Sequence, residues 1–113
     1  METTYHREVY MPPAEVMAHK TYTLTYSRHA KEQCVNDRYG VISPIFSVSV
    51  DKNNLIELTV VNNIVEKLLV RVKHNETTDL CLVFLKDGLV KTCWLCSRTD
   101  KHTTLKRGLY PAK

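Results

Sequence analysis

Residues 21–26 alternate Tyr22, Leu24 and Tyr26 with Thr21, Thr23 and Thr25, the period-two pattern of a strand with one buried face. Ser27 follows where a helix N-cap belongs. The spacing then predicts a helix over residues 28–38, with Ala30 and Cys34 one turn apart on its inner face and Gly40 as its stop. Upstream, Pro13 stands near the first position of a short helix expected over residues 14–20. Downstream, a less regular stretch over residues 45–50 ends in the turn Asp51-Lys52-Asn53-Asn54.

The second half reads as a meander. Residues 55–61 alternate Ile56, Leu58 and Val60 with Glu57 and Thr59, and Asn62-Asn63 supplies a two-residue turn into residues 64–73. The polar loop 74–79 leads to residues 80–85, apolar on both faces and therefore expected to be the central strand. Asp87-Gly88 is the strongest hairpin signal in the chain and turns it into residues 89–97. The expected fold class is α+β, with one or two N-terminal helices packed on a four- to five-stranded antiparallel sheet. Residues 1–20 read as an extension and residues 21–113 as a single domain with a basic tail.

The chain has 113 residues, enough for one core, with 43% hydrophobic and 25% charged side chains. It has no apolar run of membrane-spanning length, and residues 1–20 lack the apolar stretch of a signal peptide. The expectation is a cytoplasmic protein without a membrane partner. Its net charge of +4 is unevenly placed: residues 1–56 carry six basic and six acidic side chains, whereas residues 98–113 carry five basic and one acidic. Such a local excess suits a polyanion, and equally a solubilising tail.

Four cysteines without an export signal are expected to be free thiols. Cys93 and Cys96 form a CxxC, but on a strand this spacing points the two sulfurs to opposite faces, and no second closely spaced pair completes a zinc site. No metal and no cofactor is expected; a zinc-stapled module is the weaker reading.

On the strand over residues 64–73, Lys67, Leu69, Arg71 and Lys73 share one face. On the last strand Thr92, Trp94, Cys96 and Arg98 share another. Cations beside an indole and hydroxyls fit a single-stranded nucleic acid, with the cations on phosphate and the ring on a base; the alternative is a core tryptophan and a solvated outer face. His29, at the helix start, and His102, between Asp100 and Thr104, add proton-transfer chemistry. Imidazole titrates near neutral pH, so two of them could take a proton from a ribose 2′-hydroxyl and return one to the leaving 5′-oxygen.

Tyr26-Ser27-Arg28-His29-Ala30 through Asp37-Arg38-Tyr39-Gly40 resembles the S-x-H-A…R-Y-G opening of small phage and bacterial domains. It is followed in order by Val65-Glu66-Lys67 with Arg71, by the segment from Asp87-Gly88 to Cys93-Trp94, and by Asp100-Lys101-His102-Thr103-Thr104-Leu105 before Tyr110. Those domains are similar to the barnase–EndoU–colicin–RelE superfamily of metal-independent ribonucleases, and more distantly to RegB-type phage endoribonucleases. The resemblance implies a RelE/RegB-like fold and a phage-type protein that binds RNA and cleaves it to a 2′,3′-cyclic phosphate. It implies site positions at His29, Arg38, Lys67, Arg71, Thr92, Asp100, His102 and Thr104, with His29, His102, Arg71, Thr92 and Thr104 as the catalytic ones and Arg38 and Lys67 on RNA; Lys73, Trp94 and Arg98 from the strand faces and Lys106 from the basic tail are the further expected RNA contacts. One departure is Gln33, where many relatives carry arginine. The competing expectation is a non-catalytic host-takeover or inhibitor protein that binds a host protein, an antitoxin-like partner or a nucleotide.

Overall fold

The structure, a computed structural model, describes residues 2–6, 20–51, 53–62 and 64–99. Among the described residues eight strands and one helix follow in the order β1 (Glu2–His6), β2 (Lys20–Thr23), β3 (Thr25–Tyr26), α1 (Arg28–Asn36), β4 (Ser47–Val50), β5 (Leu55–Val61), β6 (Ile64–Lys73), β7 (Thr78–Leu85) and β8 (Leu89–Ser97). Six strands make one sheet in the order β1-β5-β6-β7-β8-β3, and β2 and β4 pair as a two-stranded sheet.

This arrangement corrects the expected α+β layout. The described residues are mostly strand, with α1 as their single helix, and the main sheet is mixed because β3 runs parallel to β8. Two features hidden from local pattern cause the difference. Glu2–His6 has no apolar alternation, yet it completes the sheet by pairing antiparallel with β5, from Glu2↔Val61 to His6↔Glu57. The strand expected over residues 21–26 divides at Leu24: its first part pairs with β4 and its second joins β8. Of the helix expected over residues 14–20, positions 14–19 lie outside the described residues, and Lys20 begins β2.

The β5–β8 meander forms as its pattern implies. β7 is paired on both sides, from Lys67↔Leu85 to Lys73↔Asp79 with β6 and from Thr78↔Ser97 to Phe84↔Val90 with β8. Rows of in-register side chains build the core on one face. Leu58, Leu68, Phe84 and Val90 form one row, and Leu55, Val70, Leu82 and Cys93 the next, all buried. Tyr22 closes the first row edge-on to Phe84, with ring centroids 5.1 Å apart. The other face carries a smaller cluster of Ile56, Leu69, Cys81, Val83 and Cys96 against Trp94.

The Asp87-Gly88 turn does more than reverse the chain. Gly88 has φ +90°, and a Cβ built on it would overlap the carbonyl oxygen of Thr23. Only glycine lets β2 and β3 cross this turn so closely. Thr25 N then donates to Gly88 O at 3.0 Å and Ser27 N to Val90 O at 3.0 Å, which delivers the start of α1 to the edge of β8.

Candidate functional site

Ser27 caps α1, its hydroxyl accepting from Ala30 N at 3.1 Å, a bond worth about 1 kcal/mol. Ala30 and Cys34 face the core, as their spacing predicts. The helix lies along the part of β8 that β3, two residues long, leaves uncovered, and two side chains, Gln33 of the helix and Asp37 at its C-cap, take the place of a neighbouring strand. The amide oxygen of Gln33 accepts from Cys93 N at 2.8 Å and from the Thr92 hydroxyl at 2.6 Å. One turn later, Asp37 Oδ1 accepts from Leu95 N at 3.2 Å, while Oδ2 accepts from Tyr39 N at 3.0 Å. Four helical residues rise about 6 Å and two strand residues about 6.7 Å, so i and i+4 on the helix match alternate N–H groups of the strand edge. An edge that would otherwise expose amides is thereby covered.

Beside this seam runs a groove of about 590 Å³, lined by His29, Glu32, Gln33, Asn36, Asp37 and Arg38 from the helix side and by Cys93, Trp94 and Leu95 from β8. Most of its polar groups are committed. Gln33 and Asp37 serve β8, Asn36 Nδ2 donates to Glu32 O at 3.0 Å, and Glu32 makes an exposed 3.5 Å ion pair with Arg28. Among the described residues His29 has no hydrogen-bond partner, and its ring is exposed. Arg38 is also exposed, its guanidinium 4.8 Å from the centroid of the Tyr39 ring. Trp94 is half-buried, packed on the second-face cluster from behind. His29, Arg38 and Trp94 therefore line one groove.

The other expected positions are arranged differently. Thr92 touches the groove through Gln33. Arg71 lies two strands from Trp94, across Cys81, on the same face. It is held there: Arg71 Nε donates to Asp79 Oδ2 at 2.8 Å, and Nη2 donates to Ser97 O at 3.0 Å and Arg98 O at 3.3 Å. Asp79 Oδ1 also takes Arg98 Nε at 3.4 Å. Lys73 pairs with Glu76 at 3.4 Å, and Lys67 is half-buried in β6 opposite Thr59 and Leu85. The cation row expected on β6 is thus interrupted by Leu69, only 1% exposed, and its arginine is neutralised by a carboxylate. His102, Thr104, Lys106 and Asp100 lie outside the described residues.

Sequence reasoning missed the work of Gln33 and Asp37. Gln33 was legible only as a departure from an arginine. The available signal was two polar residues four apart, flanking the buried Ala30 and Cys34 stripe of a helix that follows a strand.

The cysteines divide as the CxxC spacing implies: Cys93 joins the main core and Cys96 the second-face cluster, and all four are buried thiols outside any disulfide. Among the described residues no group of three or more His, Cys, Asp or Glu side chains could hold a metal ion, and no helix is long and apolar enough to cross a membrane. Comparison with protein-family models, curated proteins and solved structures finds no match.

Proposed function

We propose that the groove between α1 and β8 binds single-stranded RNA and that the protein is a metal-independent endoribonuclease. The observation that carries this reading is the convergence of His29, Arg38 and Trp94 on one groove. An unpaired base stacks on the indole, the guanidinium takes a phosphate, and committed backbone and amide groups fix the walls. His29 serves as one proton-transfer group. The other is assigned by sequence to His102, which lies outside the described residues. One takes the proton of a 2′-hydroxyl as that oxygen attacks phosphorus; the other protonates the departing 5′-oxygen, leaving a 2′,3′-cyclic phosphate.

Incubation with total bacterial RNA in EDTA, followed by end-group analysis, tests the reaction. Fragments with cyclic or 3′-phosphate ends are expected, and full-length RNA throughout would overturn the catalytic part. Binding is read separately through Trp94, the sole tryptophan of the chain, whose fluorescence should be quenched by single-stranded RNA at low salt.

A second reading has its own support. Val35, Tyr39 and Val41 are 64%, 46% and 68% exposed near the C-terminal end of α1. An apolar surface there favours a non-catalytic protein that docks a host protein. Unquenched Trp94 in folded protein would select it over the RNA reading.

A further inference from the structure

Two thiol pairs are buried in contact. Cys34 Sγ and Cys93 Sγ are 3.8 Å apart, and Cys81 Sγ and Cys96 Sγ are 3.7 Å apart. Their settings differ. Cys81 and Cys96 sit diagonally on paired strands, Cys81 opposite Trp94 and Cys96 opposite Asp79, so the sheet already joins them. Cys34 and Cys93 are 59 residues apart and come from different elements, the helix and the strand edge on which it rests. What holds these elements together is a seam of hydrogen bonds: Gln33 to Thr92 and Cys93, Asp37 to Leu95, and Cys93 Sγ to Ala30 O at 3.7 Å.

We propose that Cys34 and Cys93 are an oxidisable dithiol, closed to a disulfide by peroxide, that fastens α1 to β8 beside the groove. Closure to a bond of about 2.05 Å requires the sulfurs, already 3.8 Å apart, to come about 1.7 Å nearer. Cys34, 7% exposed, is the more accessible of the two; Cys93 is fully buried. The Cys34 thiol takes one oxygen from hydrogen peroxide to give sulfenic acid, releasing water. The Cys93 thiol then attacks that sulfur, forming the S–S bond and releasing a second water. Two thiols are oxidised by two electrons and one peroxide is reduced to two waters. Burial and the neighbouring Cys34 push the Cys93 thiol up to about 12, so the attack proceeds from the thiol held 3.8 Å from Cys34 Sγ.

The test uses the full reduced chain, exposed to hydrogen peroxide, quenched with N-ethylmaleimide and mapped by mass spectrometry without reduction. The expected result is loss of two alkylatable thiols, a cross-linked peptide joining residues 34 and 93, and reversal by dithiothreitol. Because the link closes a long loop, the melting midpoint of the oxidised protein should rise by more than about 5 °C. Cys34→Ser should abolish both the cross-link and the rise, and Cys96→Ala should keep both. Four thiols still alkylatable, sulfinic acid at Cys34, or a Cys81–Cys96 link formed in place of Cys34–Cys93 would overturn the proposal. The map of the wild-type chain decides among these whether or not either variant folds.

Discussion

β8 serves two polar constellations that differ in what they leave free. Near Thr92–Leu95 it meets α1, where Gln33 and Asp37 are used on backbone amides, and His29 and Arg38 face solvent. Near Ser97 and Arg98 it meets Arg71 and Asp79, where two cations and a carboxylate satisfy one another and two main-chain carbonyls complete the guanidinium. The first arrangement keeps groups available for a ligand; the second uses them to hold three strand ends together. A row of cations on one strand therefore says little about phosphate binding until the facing strand is known. Here Asp79 of β7, in register with Lys73, reaches diagonally to Arg71.

The sharpest way to break this contrast is Asp79→Ala. It leaves the Arg71 side chain, 14% exposed, without its carboxylate, and should lower stability by about 3 kcal/mol. Urea unfolding measures the loss, while RNA affinity per folded molecule should stay as in wild type. An unchanged midpoint would mean that the ion pair is not structural.

Gln33→Ala should have the next largest effect. The N–H of Cys93 and the hydroxyl of Thr92 lose their acceptor, at a cost of about 1–3 kcal/mol, and α1 loosens from β8. Stability and RNA affinity should fall together, in contrast to Asp79→Ala. Hydrogen exchange at the Cys93 amide should accelerate in the same variant.

How far this contrast was readable beforehand depended on the range of the interactions. The helix start at Ser27, the inner pair Ala30 and Cys34, the turn at Gly88 and the meander from Leu55 to Ser97 are encoded by local spacing, and the structure forms them. The pairing of Glu2–His6 with β5 and of Thr25–Tyr26 with β8 joins segments more than fifty residues apart; no alternation marks the first, and the alternation over residues 21–26 marks a strand without naming its partner or its break at Leu24. Of the candidate site, His29, Arg38 and Trp94 share a groove because α1 runs beside β8. Arg71 was placed by residue type on the correct face, but its partner Asp79 was read as part of a loop, so the neutralisation went unseen.

Arg38→Ala and His29→Ala should sharpen the comparison from the other side. Both residues are exposed, so stability should change by less than about 0.5 kcal/mol. Arg38→Ala should weaken single-stranded RNA binding several-fold and flatten the log–log salt slope by about 0.7. His29→Ala should reduce cleavage by about 10²-fold or more with little change in binding. Equal losses of binding in both would place His29 among the contacts and not in the chemistry.

The last expected effect is confined to alkaline pH. Burial pushes the Tyr26 hydroxyl up to about 12; it donates to Ile45 O at 2.7 Å and accepts from Ile45 N at 3.1 Å, just ahead of the α1 cap. The unfolded chain releases this proton near pH 10 and the folded one near 12. Its stabilisation is therefore complete below pH 10 and is lost as pH rises from 10 towards 12. Tyr26→Phe should remove that part of the alkaline decline in melting temperature, and an identical decline in both proteins would exclude Tyr26 as its source.

The central claim, that RNA occupies the α1–β8 groove and not the Arg71–Asp79–Arg98 cluster, is tested most directly by an NMR titration of the ¹⁵N-labelled chain with a single-stranded RNA oligonucleotide. The account predicts shifts concentrated on the amides of Gln33, Arg38, Cys93 and Leu95 and on the Trp94 indole, with the Arg71 and Asp79 amides unmoved. Shifts centred on Arg71, Asp79 and Arg98, or none at all under low salt, would contradict it.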